Sequence, residues 1–498
     1  MSEFYTEVRK YGNNLLYRGV RDGMHIVSKV PFKPTMYVKT NKPTTSGWAT
    51  LYGDPVEPKR FESINDAKRF MEENEDVHGR EIHGFDDYQY QFINENFQGN
   101  IDYKIDQTRI SYLDIEVVDP RGRTAFPDVQ QADVPIVLIS LLDHHTKRNK
   151  IFGWKAYTKE QEDQFALLMS KDEVEMLMAF INHWASAPPE IYTGWNTQPF
   201  DTPYLINRIM RVLGEDWVNK LSPFGIVREK MKKINNVETQ TYEIYGVAEL
   251  DYLALYKKFT YGAKENYSLG FISELELGKT KLEIESDSFY DSYTNHYSKF
   301  VKYNALDSLL VKEIDEKMGL IGLIMSISYL VKCNYVDVFS PVKTWEVFAF
   351  NHLHEKKIAT PPKKHSEAAE FEGAWVKEPR PGMYGWMVSY DATSLYPTII
   401  RQWNMSPETL VADHRENITV DDLVNVEQGL SKYAFDNDCT VSANGVFFRK
   451  DKKGFIPEML ENVMNGRSIA KKDMLKYEQE LQYVNEEIKK RVENNNDK

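Results

Sequence analysis

Between residues 108 and 319 the chain alternates short apolar runs with longer amphipathic segments, and this pattern limits the folds open to it. The runs RISYLDIEVV, VPIVLISLLDHH and KIFGWKAY are rich in β-branched residues and are bounded by Asp, Pro and Gly, which predicts strands. Helical spacing follows near residues 172–185, 201–213 and 295–317. Strands followed by helices predict an α/β domain in this part of the chain.

The flanking segments indicate further domains. Residues 1–108 alternate short strands with turns and include one helix, INDAKRFMEEN. The run LIGLIMSISYLV, from Leu320, is too short to span a bilayer and predicts a buried helix. A connector rich in Pro and Lys, ATPPKKHSEAAE, begins at Ala359. With 498 residues, the chain can form about three domains.

Composition excludes several classes of protein. The 42% hydrophobic and 28% charged residues are typical of a globular chain and not of a disordered one. A net charge of −13 argues against a wholly basic nucleic-acid binder, although it does not exclude a basic groove on an acidic body. Two cysteines, Cys333 and Cys439, predict neither a disulfide framework nor a zinc site. The start, MSEFYTEVRKYG, lacks an apolar signal core, so we expect a soluble intracellular protein.

Two acids stand at i and i+2 in the first of these strands. Asp114 and Glu116 would therefore project from one face, between apolar neighbours. Two carboxylates in such a place repel each other and lose solvation unless a cation joins them, and a divalent metal is the obvious candidate. A solvated strand face is the alternative, since D-x-E alone arises often in an acidic chain.

Two further acids strengthen the case for a metal. GWNTQPFD places Asp201 at the start of a helix, and YNALD places Tyr303 and Asp307 one turn apart on another. Four hard oxygen donors converging at a sheet edge suit Mg²⁺ or Mn²⁺, two ions of which can activate water against a phosphodiester. Tyr303 can orient that water. Asn196 and Phe200 can hold a frayed terminal nucleotide, Phe200 by stacking.

A separate acid, Asp391, ends the apolar run of VSYDATSLYPTII. We expect a strand, a turn of free N–H groups and then a helix, an arrangement that can hold a metal and a phosphate. An ordinary turn before a helix is the alternative. Two-metal chemistry needs a second carboxylate, which this stretch does not supply.

A long helix is predicted to begin at Pro457 and to run for about 35 residues, to near Glu493. Only Gly466 interrupts its helical propensity. Its second half forms an apolar seam that requires a partner helix, either elsewhere in its own domain or in another chain. The seam consists of Met474, Tyr477, Leu481, Val484, Ile488 and Val492.

The ordered set D-I-E, N-x-x-x-F-D and Y-x-x-x-D resembles the three exonuclease motifs of family B DNA polymerases. GWNTQPFD, LDYLALYKKF, YSLGFISELEL, FSPVKTWE and SLYPTIIRQWNMSPET resemble more narrowly the replicative polymerases of T-even-type phages. The resemblance implies a multidomain α/β and α+β chain with a ribonuclease-H-like 3′→5′ exonuclease domain. The implied divisions are an N-terminal domain (1–108 and 320–362), the exonuclease (109–319), the first half of the polymerase palm (363–453) and the first fingers helix (454–498).

The resemblance also assigns roles in proofreading. It implies that Asp114, Glu116, Asp201 and Asp307 bind two Mg²⁺ or Mn²⁺ ions, with Tyr303 on the attacking water. The segment IVREKMKKINNVETQTYEIYG is predicted to form a hairpin that turns at Asn235-Asn236. The resemblance implies that this hairpin helps to part primer from template.

In the same family DATSLYP is the first palm motif, so the resemblance implies a role for each of its residues. Asp391 and the carbonyl of Ala392 would bind the polymerase metals. The N–H groups of Ser394, Leu395 and Tyr396 would hold the incoming triphosphate, and the Tyr396 ring would exclude a 2′-OH. Arg467 and Lys471, at i and i+4, match the triphosphate-binding pair of the fingers; a solvated face is the alternative.

Three features depart from the family pattern. The loop FEGAWVKEP, which would guide DNA through Phe371 and Gly373, begins with Phe where Tyr is common. Gly466 weakens the fingers helix. The K-x-x-x-N-S-x-Y-G helix and the Y-G-D-T-D-S hairpin, which carries the second catalytic aspartate, do not occur. We therefore expect one subunit of a polymerase encoded in two pieces, with a truncated product as the alternative.

Two rival functions stay open: a stand-alone 3′→5′ exonuclease, and a non-catalytic regulator that binds RNA or single strands. The second would use basic and aromatic residues near the N-terminus, namely Arg9, Lys10, Tyr11, Tyr17 and Arg18. The polymerase hypothesis predicts as partners primer–template DNA, a single-stranded 3′ end, dNTPs, a second polymerase subunit and, through it, other replisome proteins. No membrane is expected, and the predicted location is the cytoplasm of an infected bacterium.

Overall fold

The chain divides into two units, each built from more than one stretch of sequence. The first comprises Met1–Met36, Lys59–Arg80 and Phe85–Asn351, and the second comprises Tyr37–Pro58, Glu81–Gly84 and His352–Lys498. The computed structural model describes residues 3–42, 44–74, 81–119, 122, 127–157, 165–234, 237–280, 288–362, 377–415 and 432–496, with side chains to residue 491.

The N-terminal strands form an antiparallel meander, because two tight turns reverse the chain through glycines at positive φ, 60° at Gly12 and 79° at Gly23. The elements of this region are β1 (Glu3–Tyr11), β2 (Asn14–Arg21), β3 (Met24–Pro31), β4 (Thr35–Lys39), β5 (Val56–Arg60), α1 (Ile64–Asn74), β6 (Ile82–His83) and α2 (Tyr88–Asn96). Helix α1 lies where the sequence predicts it. In the second unit β4 and β6 pair through Tyr37 and His83.

The centre of the first unit is a six-stranded mixed sheet. Its elements are β7 (Ile110–Val117), β8 (Ile136–Asp143), β9 (Asn149–Gly153), β10 (Phe165–Met169), α3 (Glu173–Ser186), β11 (Ile191–Thr193), α4 (Asp201–Leu213), α5 (Glu215–Asn219), β12 (Val227–Ile234), β13 (Val237–Ile244), β14 (Ala248–Glu249), α6 (Tyr252–Phe259), α7 (Leu269–Leu277), α8 (Phe289–Asn295), α9 (Tyr297–Met318), α10 (Leu320–Val331) and α11 (Pro341–Glu355). The strand order is β10-β9-β8-β7-β11-β14. Strands β7, β8 and β9 are antiparallel, and β11 continues the sheet parallel to β7. This is the ribonuclease-H-like fold that the resemblance implies.

Helices cover both faces of this sheet. On one face Leu113 and Ile115 of β7 pack in a core with α3 and α4, which includes Phe180 and Tyr204. On the other face Leu138 of β8 and neighbouring residues pack against α9. Successive side chains of a strand point to opposite faces of the sheet. Asp114 and Glu116, which alternate with Leu113 and Ile115, therefore face α9.

The predictions for α10 and the hairpin are confirmed. More than half of the residues of α10 are buried, including Ile321, Ile324 and Met325. Packing in the core therefore accounts for the apolar sequence of this helix. No helix within the described ranges is long and apolar enough to cross a bilayer. Strands β12 and β13 pair from Val227–Ile244 to Ile234–Val237. The turn itself, with Asn235, lies outside the described residues.

A buried ion pair ties the meander to the central sheet. The guanidinium of Arg18 in β2 lies 2.7 Å from the carboxylate of Glu190, and the two side chains are 1% and 0% exposed. Arg18 also donates to the backbone carbonyls of Pro188, Pro189 and Gly246. Since Arg18 and Tyr17 are buried, they cannot form part of an exposed RNA-binding surface, contrary to that rival hypothesis.

The second unit contains a small three-stranded sheet and a long helix. Its elements after α11 are α12 (Leu395–Trp403), β15 (Leu410–Arg415), α13 (Lys432–Asp436), β16 (Cys439–Val441), β17 (Val446–Arg449) and α14 (Phe455–Asn496). The sheet order is β15-β17-β16. The carboxylate of Glu408 and the amide oxygen of Asn404 accept the N–H groups of Phe455 and Gly454, which satisfies donors at the start of α14.

Two predictions for this unit need correction. No strand precedes Asp391: Val388 and Tyr390 belong to no helix or strand, are 75% and 93% exposed, and pair with no described strand. A strand needs a neighbour to bond its backbone, and the apolar sequence alone does not supply one. The terminal helix is longer than predicted, at 42 residues. Pro457 is tolerated in its first turn because the first N–H groups of a helix have no partner within it.

Candidate metal centre and its surroundings

Strand β7 and helix α9 bring three acids together. One carboxylate oxygen each of Asp114, Glu116 and Asp307 lie within 4.8 Å of one another. Glu116 and Asp307 are each 6% exposed. Three carboxylates at such distances repel one another, so a buried cluster of this kind is stabilised by a bound cation or by protonation of one of them. Hard oxygen donors fit Mg²⁺ or Mn²⁺, and this donor set is therefore a credible site for a divalent cation.

An asparagine one turn before Asp307 contacts the same cluster. The side-chain amide of Asn304 donates to Oδ2 of Asp114 at 2.6 Å, and Asn304 is fully buried. This bond orients Asp114 from the helix side. Asn304 was not predicted from the sequence, since a buried amide next to an acid has no signature in spacing.

Asp201, the fourth predicted ligand, is the first residue of α4 and lies beside the cluster without being part of it. Its Oδ1 accepts the backbone N–H of Ile115, between Asp114 and Glu116, at 3.2 Å. Burial, together with the neighbouring carboxylates of Asp251 and Glu249, raises the pKa of Asp201 to about 8. A nearby cation would reverse this effect, because it favours the ionised form.

A sharp loop between β11 and α4 carries Asp201. The strand end can approach β7 closely because residue 194 is glycine: a Cβ there would lie 2.3 Å from the carbonyl oxygen of Leu113. Asn196 follows, exposed and at a φ of 66°. Phe200 is half-buried, and its ring centroid lies 5.5 Å from that of Tyr204.

Two buried acids from the β14–α6 turn hold this loop. Asp251 caps α6 and also accepts the N–H groups of Asn196 and Gln198, each at 3.1 Å. Glu249 accepts hydrogen bonds from the hydroxyls of Thr197 and Thr202. Neither acid was predicted from the sequence. LDYLALYKKF contains a helix-capping pattern that could have indicated Asp251, whereas nothing in the sequence marks Glu249.

The remaining predicted nuclease residue, Tyr303, lies on α9 one turn before Asp307. It is half-buried, and its ring meets that of Phe289 edge to face at 6.3 Å between centroids. Helical spacing places Tyr303 and Asp307 on one face of α9.

The predicted polymerase residues lie in the second unit. Asp391, Ala392, Leu395 and Tyr396 are exposed, and α12 begins just after Ser394. Arg467 of α14 donates to the hydroxyl of Ser394 at 3.2 Å, so one cation of the predicted triphosphate-binding pair stands at the start of α12. Lys471 is exposed one turn further along α14. Among the residues whose positions are given, the group of acids able to hold a metal does not include Asp391.

Two predicted DNA-binding residues, Phe371 and Gly373, lie outside the described residues. The apolar seam of α14 is exposed along its described length. The exposed fractions are 50% at Met474, 63% at Tyr477, 61% at Leu481, 49% at Val484 and 54% at Ile488. Val492 lies beyond the described side chains.

Comparison with known proteins places this arrangement in a family. Residues 61–272 match the exonuclease domain of DNA polymerase family B, and residues 343–490 match the polymerase domain of the same family. The chain belongs to DNA polymerase family B. This family B chain is 31% identical, over 98% of its own length, to a DNA-directed DNA polymerase of Escherichia phage RB69. It is 32% identical, over the same share, to a DNA-directed DNA polymerase of Enterobacteria phage T4.

More distant relatives match a smaller part of this polymerase-family chain. DNA polymerase 1 of Pyrococcus abyssi is 26% identical over 68% of the chain and 41% of the relative. The chain spans about half the length of the two phage relatives, 56% of each. The recognition of the family from the quoted motifs is confirmed.

Proposed function

We propose that this chain carries a metal-dependent 3′→5′ proofreading exonuclease together with the first part of a replicative DNA polymerase site. The observation that supports the nuclease most strongly is the convergence of Asp114, Glu116 and Asp307, with Asp201 bonded to the backbone between the first two. These four acids are the residues that carry the family's exonuclease motifs in this sequence.

In this proposal the four carboxylates hold two Mg²⁺ or Mn²⁺ ions. Such ions supply Lewis-acid stabilisation of the phosphodiester and a more acidic bound water. The chain's own residues do the positioning: Asn304 orients Asp114, and Tyr303 hydrogen-bonds the attacking water. Asn196 and Phe200 receive the frayed, single-stranded 3′ end of the primer, with the half-buried Phe200 ring offering a face for stacking.

The hairpin of β12 and β13 is proposed to contact DNA beside this site. Its first strand carries Arg228, Lys230, Lys232 and Lys233. Positive charge here can attract the phosphate backbone of primer and template despite the acidic net charge of the chain. Asn235, at the hairpin turn, is proposed to lie between the separating strands, and Phe371 and Gly373 to guide DNA between the two sites.

The polymerase part of the proposal assigns metal binding to Asp391 and the Ala392 carbonyl. The N–H groups of Ser394, Leu395 and Tyr396 would bind the triphosphate of a dNTP, assisted by Arg467 and Lys471. The bond from Arg467 to Ser394 supports this, because it brings a guanidinium to the N-terminal end of α12, where phosphate is favoured. Tyr396, with 67% of its surface exposed, is free of packing that would keep it from the sugar.

We further propose that polymerisation requires a second polypeptide that supplies the other palm aspartate, a fingers lysine and the thumb. Two exposed apolar surfaces of the second unit support this. One is the seam of α14; the other is the segment 383–390, where Met383 and Trp386 are 100% and 97% exposed. Exposed apolar surface of this extent is typical of an interface. Other replisome proteins would act through that subunit, in the cytoplasm of an infected bacterium.

The nuclease proposal is tested with the purified chain and a 5′-labelled single-stranded oligonucleotide in Mn²⁺ or Mg²⁺. Asp114→Asn should abolish shortening from the 3′ end. Asp143→Asn makes the same change at the last residue of the neighbouring strand β8 and should retain the 3′-end shortening. Equal loss in both variants, or activity that survives Asp114→Asn and chelation of the metal, would contradict the proposal. A regulator that only binds RNA or single strands would keep its affinity in Asp114→Asn and show no cleavage.

A further inference from the structure

A buried carboxylate without a place in the metal centre holds both ends of the loop that carries Asp201. Thr197 and Thr202 donate their hydroxyl hydrogens to the same oxygen of Glu249, Oε1, at 2.9 Å and 2.6 Å. The backbone N–H of Thr202 also donates to the carbonyl of Thr197 at 3.0 Å. Residues 197–202, which we call the arc, are therefore closed by one backbone bond and by one shared side-chain acceptor.

Burial and further hydrogen bonds restrict the position of the arc. Thr197 and Thr202 are 0% and 2% exposed, and Glu249 is 7% exposed. The hydroxyl of Tyr192 lies 3.3 Å from that of Thr202. The Asp251 carboxylate accepts the backbone N–H of Asn196, which precedes the arc, and that of Gln198 within it. The position of the arc is thus set by hydrogen bonds to the β14–α6 turn.

The groups that act in the proposed nuclease lie on or beside this arc. Phe200 and Asp201 are within it, and Asn196 directly precedes it. A shift of the arc would move the carboxylate of Asp201 relative to Asp114, Glu116 and Asp307. It would also move the ring that is proposed to receive the terminal base. Displacements of about 1 Å at a reacting centre can cost about 100-fold in rate.

Resting on the proposed exonuclease, we propose that Glu249 is a positioning residue that sets the arc, and through it the placement of Asp201, Asn196 and Phe200, by accepting both threonine hydroxyls. It is not one of the three acids that converge at the candidate metal centre. Burial raises the pKa of Glu249 to about 7. Its Oε1 can accept the two hydroxyls whether the group is protonated or ionised, so the role requires an acceptor and not a charge.

Glu249 also faces a polar cavity of about 330 Å³ shared with the base of the hairpin and the meander. Lining residues include Gln198 from the arc, Lys230 and Lys232 from β12, and Glu243 from β13. The charge of Lys232 acts on Glu249 across this space. The cavity offers a matched control for metal binding, because Glu243 also lines it but pairs with Arg9 and Lys230.

The test compares four forms of the full chain with wild type. Glu249→Gln keeps the acceptor, Glu249→Met removes it at similar volume, and Glu243→Met is the matched control. The fourth form, T197V/T202V/E249M, removes both threonine donors and their acceptor together, so that no threonine hydroxyl is left unsatisfied, although the Tyr192 hydroxyl loses its neighbour on Thr202. Each is measured for thermal unfolding, for Mn²⁺ affinity without DNA, and for kcat and KM on a single-stranded oligonucleotide.

Glu249→Met is expected to weaken Mn²⁺ binding on the order of tenfold, as the loss of an outer-shell partner commonly does, and to raise KM. Glu249→Gln should stay within about threefold of wild type in every value, and Glu243→Met should do so in Mn²⁺ affinity measured without DNA. T197V/T202V/E249M should recover part of the thermal stability lost in Glu249→Met but keep the weak Mn²⁺ binding and high KM, because its arc lacks the shared acceptor. A purely structural role for Glu249 lowers the amount of folded protein but leaves KM and Mn²⁺ affinity unchanged, and that result would overturn the inference.

Failure of the inference can be told from failure of the proposed function. A wild-type chain that binds Mn²⁺ but does not shorten DNA contradicts the exonuclease, while the Mn²⁺ affinities still test Glu249. A wild-type chain that shortens DNA, with Glu249→Met indistinguishable from it, contradicts the role of Glu249 alone. Full recovery of all values in T197V/T202V/E249M would also contradict it, since buried unsatisfied hydroxyls would then explain the defect.

Discussion

The side-chain amide nitrogen of Asn304 lies 2.6 Å from Oδ2 of Asp114, and this contact joins helix α9 to strand β7 at the centre of the acidic cluster. Because Asn304 is one turn before Asp307, the same helix supplies both a carboxylate and the group that orients a second carboxylate. The cluster is therefore held from two elements at once.

Asn304→Ala should weaken the metal centre without removing a ligand. We expect Mn²⁺ affinity to fall about 10- to 100-fold, the range typical of lost outer-shell hydrogen bonds. The measurement is Mn²⁺ titration of the chain without DNA. Asn207→Ala, which removes an amide from α4 that bonds Val129 and Tyr242, serves as the control. Unchanged Mn²⁺ affinity in a folded Asn304→Ala protein would contradict this role.

Glu190→Gln should destabilise the first unit, because Arg18 would be left as a buried charge without its partner. Breaking a buried pair in this way costs about 3–5 kcal/mol. Urea unfolding at pH 7 measures it. The exposed pair of Lys279 and Glu313 gives the control, Lys279→Gln, whose free energy of unfolding should match wild type within error. A loss in Glu190→Gln no larger than in the control would refute the account of this pair.

The same pair predicts how stability depends on pH. Burial alone would raise the pKa of Glu190, but hydrogen bonding to His25 and the charge of Arg18 outweigh it and lower that pKa. Because the pKa of Glu190 is lower in the folded state than in the unfolded state, its ionisation stabilises the fold at pH values above the ordinary Glu pKa of about 4.3. This stabilisation is lost as pH falls from there through the folded-state pKa. The difference in unfolding free energy between wild type and Glu190→Gln should therefore shrink below about pH 4. A constant difference from pH 7 to pH 3 would show that Glu190 does not titrate in this way.

Two glycines of the second unit should respond oppositely to alanine. A Cβ on Gly454 would lie 2.4 Å from Cβ of Ser406, so Gly454→Ala must displace the loop that binds the start of α14 and should lower the unfolding temperature. A Cβ on Gly466 meets nothing within 4 Å. Gly466→Ala should stabilise the helix by about 0.5–1 kcal/mol. Thermal unfolding of both variants checks this; a stabilising Gly454→Ala would show that the contact with Ser406 yields easily.

Leu481→Glu tests the seam of α14 as a docking surface for the second polypeptide. Leu481 is 61% exposed, so the isolated chain should unfold at an unchanged temperature. The assay is primer extension by the chain together with fractions from infected host cells, with the restoring polypeptide identified by mass spectrometry. Restoration should fail for Leu481→Glu and persist for Gln482→Glu, which adds the same charge on a different face. Equal restoration of primer extension in both variants would show that the seam does not contact the second polypeptide.

Local periodicity was enough to predict much of the first unit. The strand containing D-I-E, the helix starting at Asp201 and the helix carrying Asp307 lie within one or two residues of their predicted positions. The structure brings three of the four acids together because strand alternation directs Asp114 and Glu116 toward α9. The spacing of apolar residues along the chain determines these strands and helices and the face that each buries, and this spacing is visible in the sequence.

Other features depend on pairings between distant residues and have no local pattern. Arg18 with Glu190, and Glu249 with the two threonines, join segments far apart in the chain. The strand predicted before Asp391 is absent for the complementary reason: its apolar run has no described strand beside it, and strand formation depends on a partner.

The most direct test of the central claim is incubation of the purified chain with a 5′-labelled primer annealed to a longer template, in Mg²⁺, with and without all four dNTPs. The account predicts shortening of the primer from its 3′ end in both conditions and no extension, because acids proposed for the nuclease converge within the chain whereas no described acid joins Asp391 in a metal-binding group. Extension by the chain alone would contradict the proposed need for a second polypeptide. Absence of shortening in either condition would contradict the exonuclease.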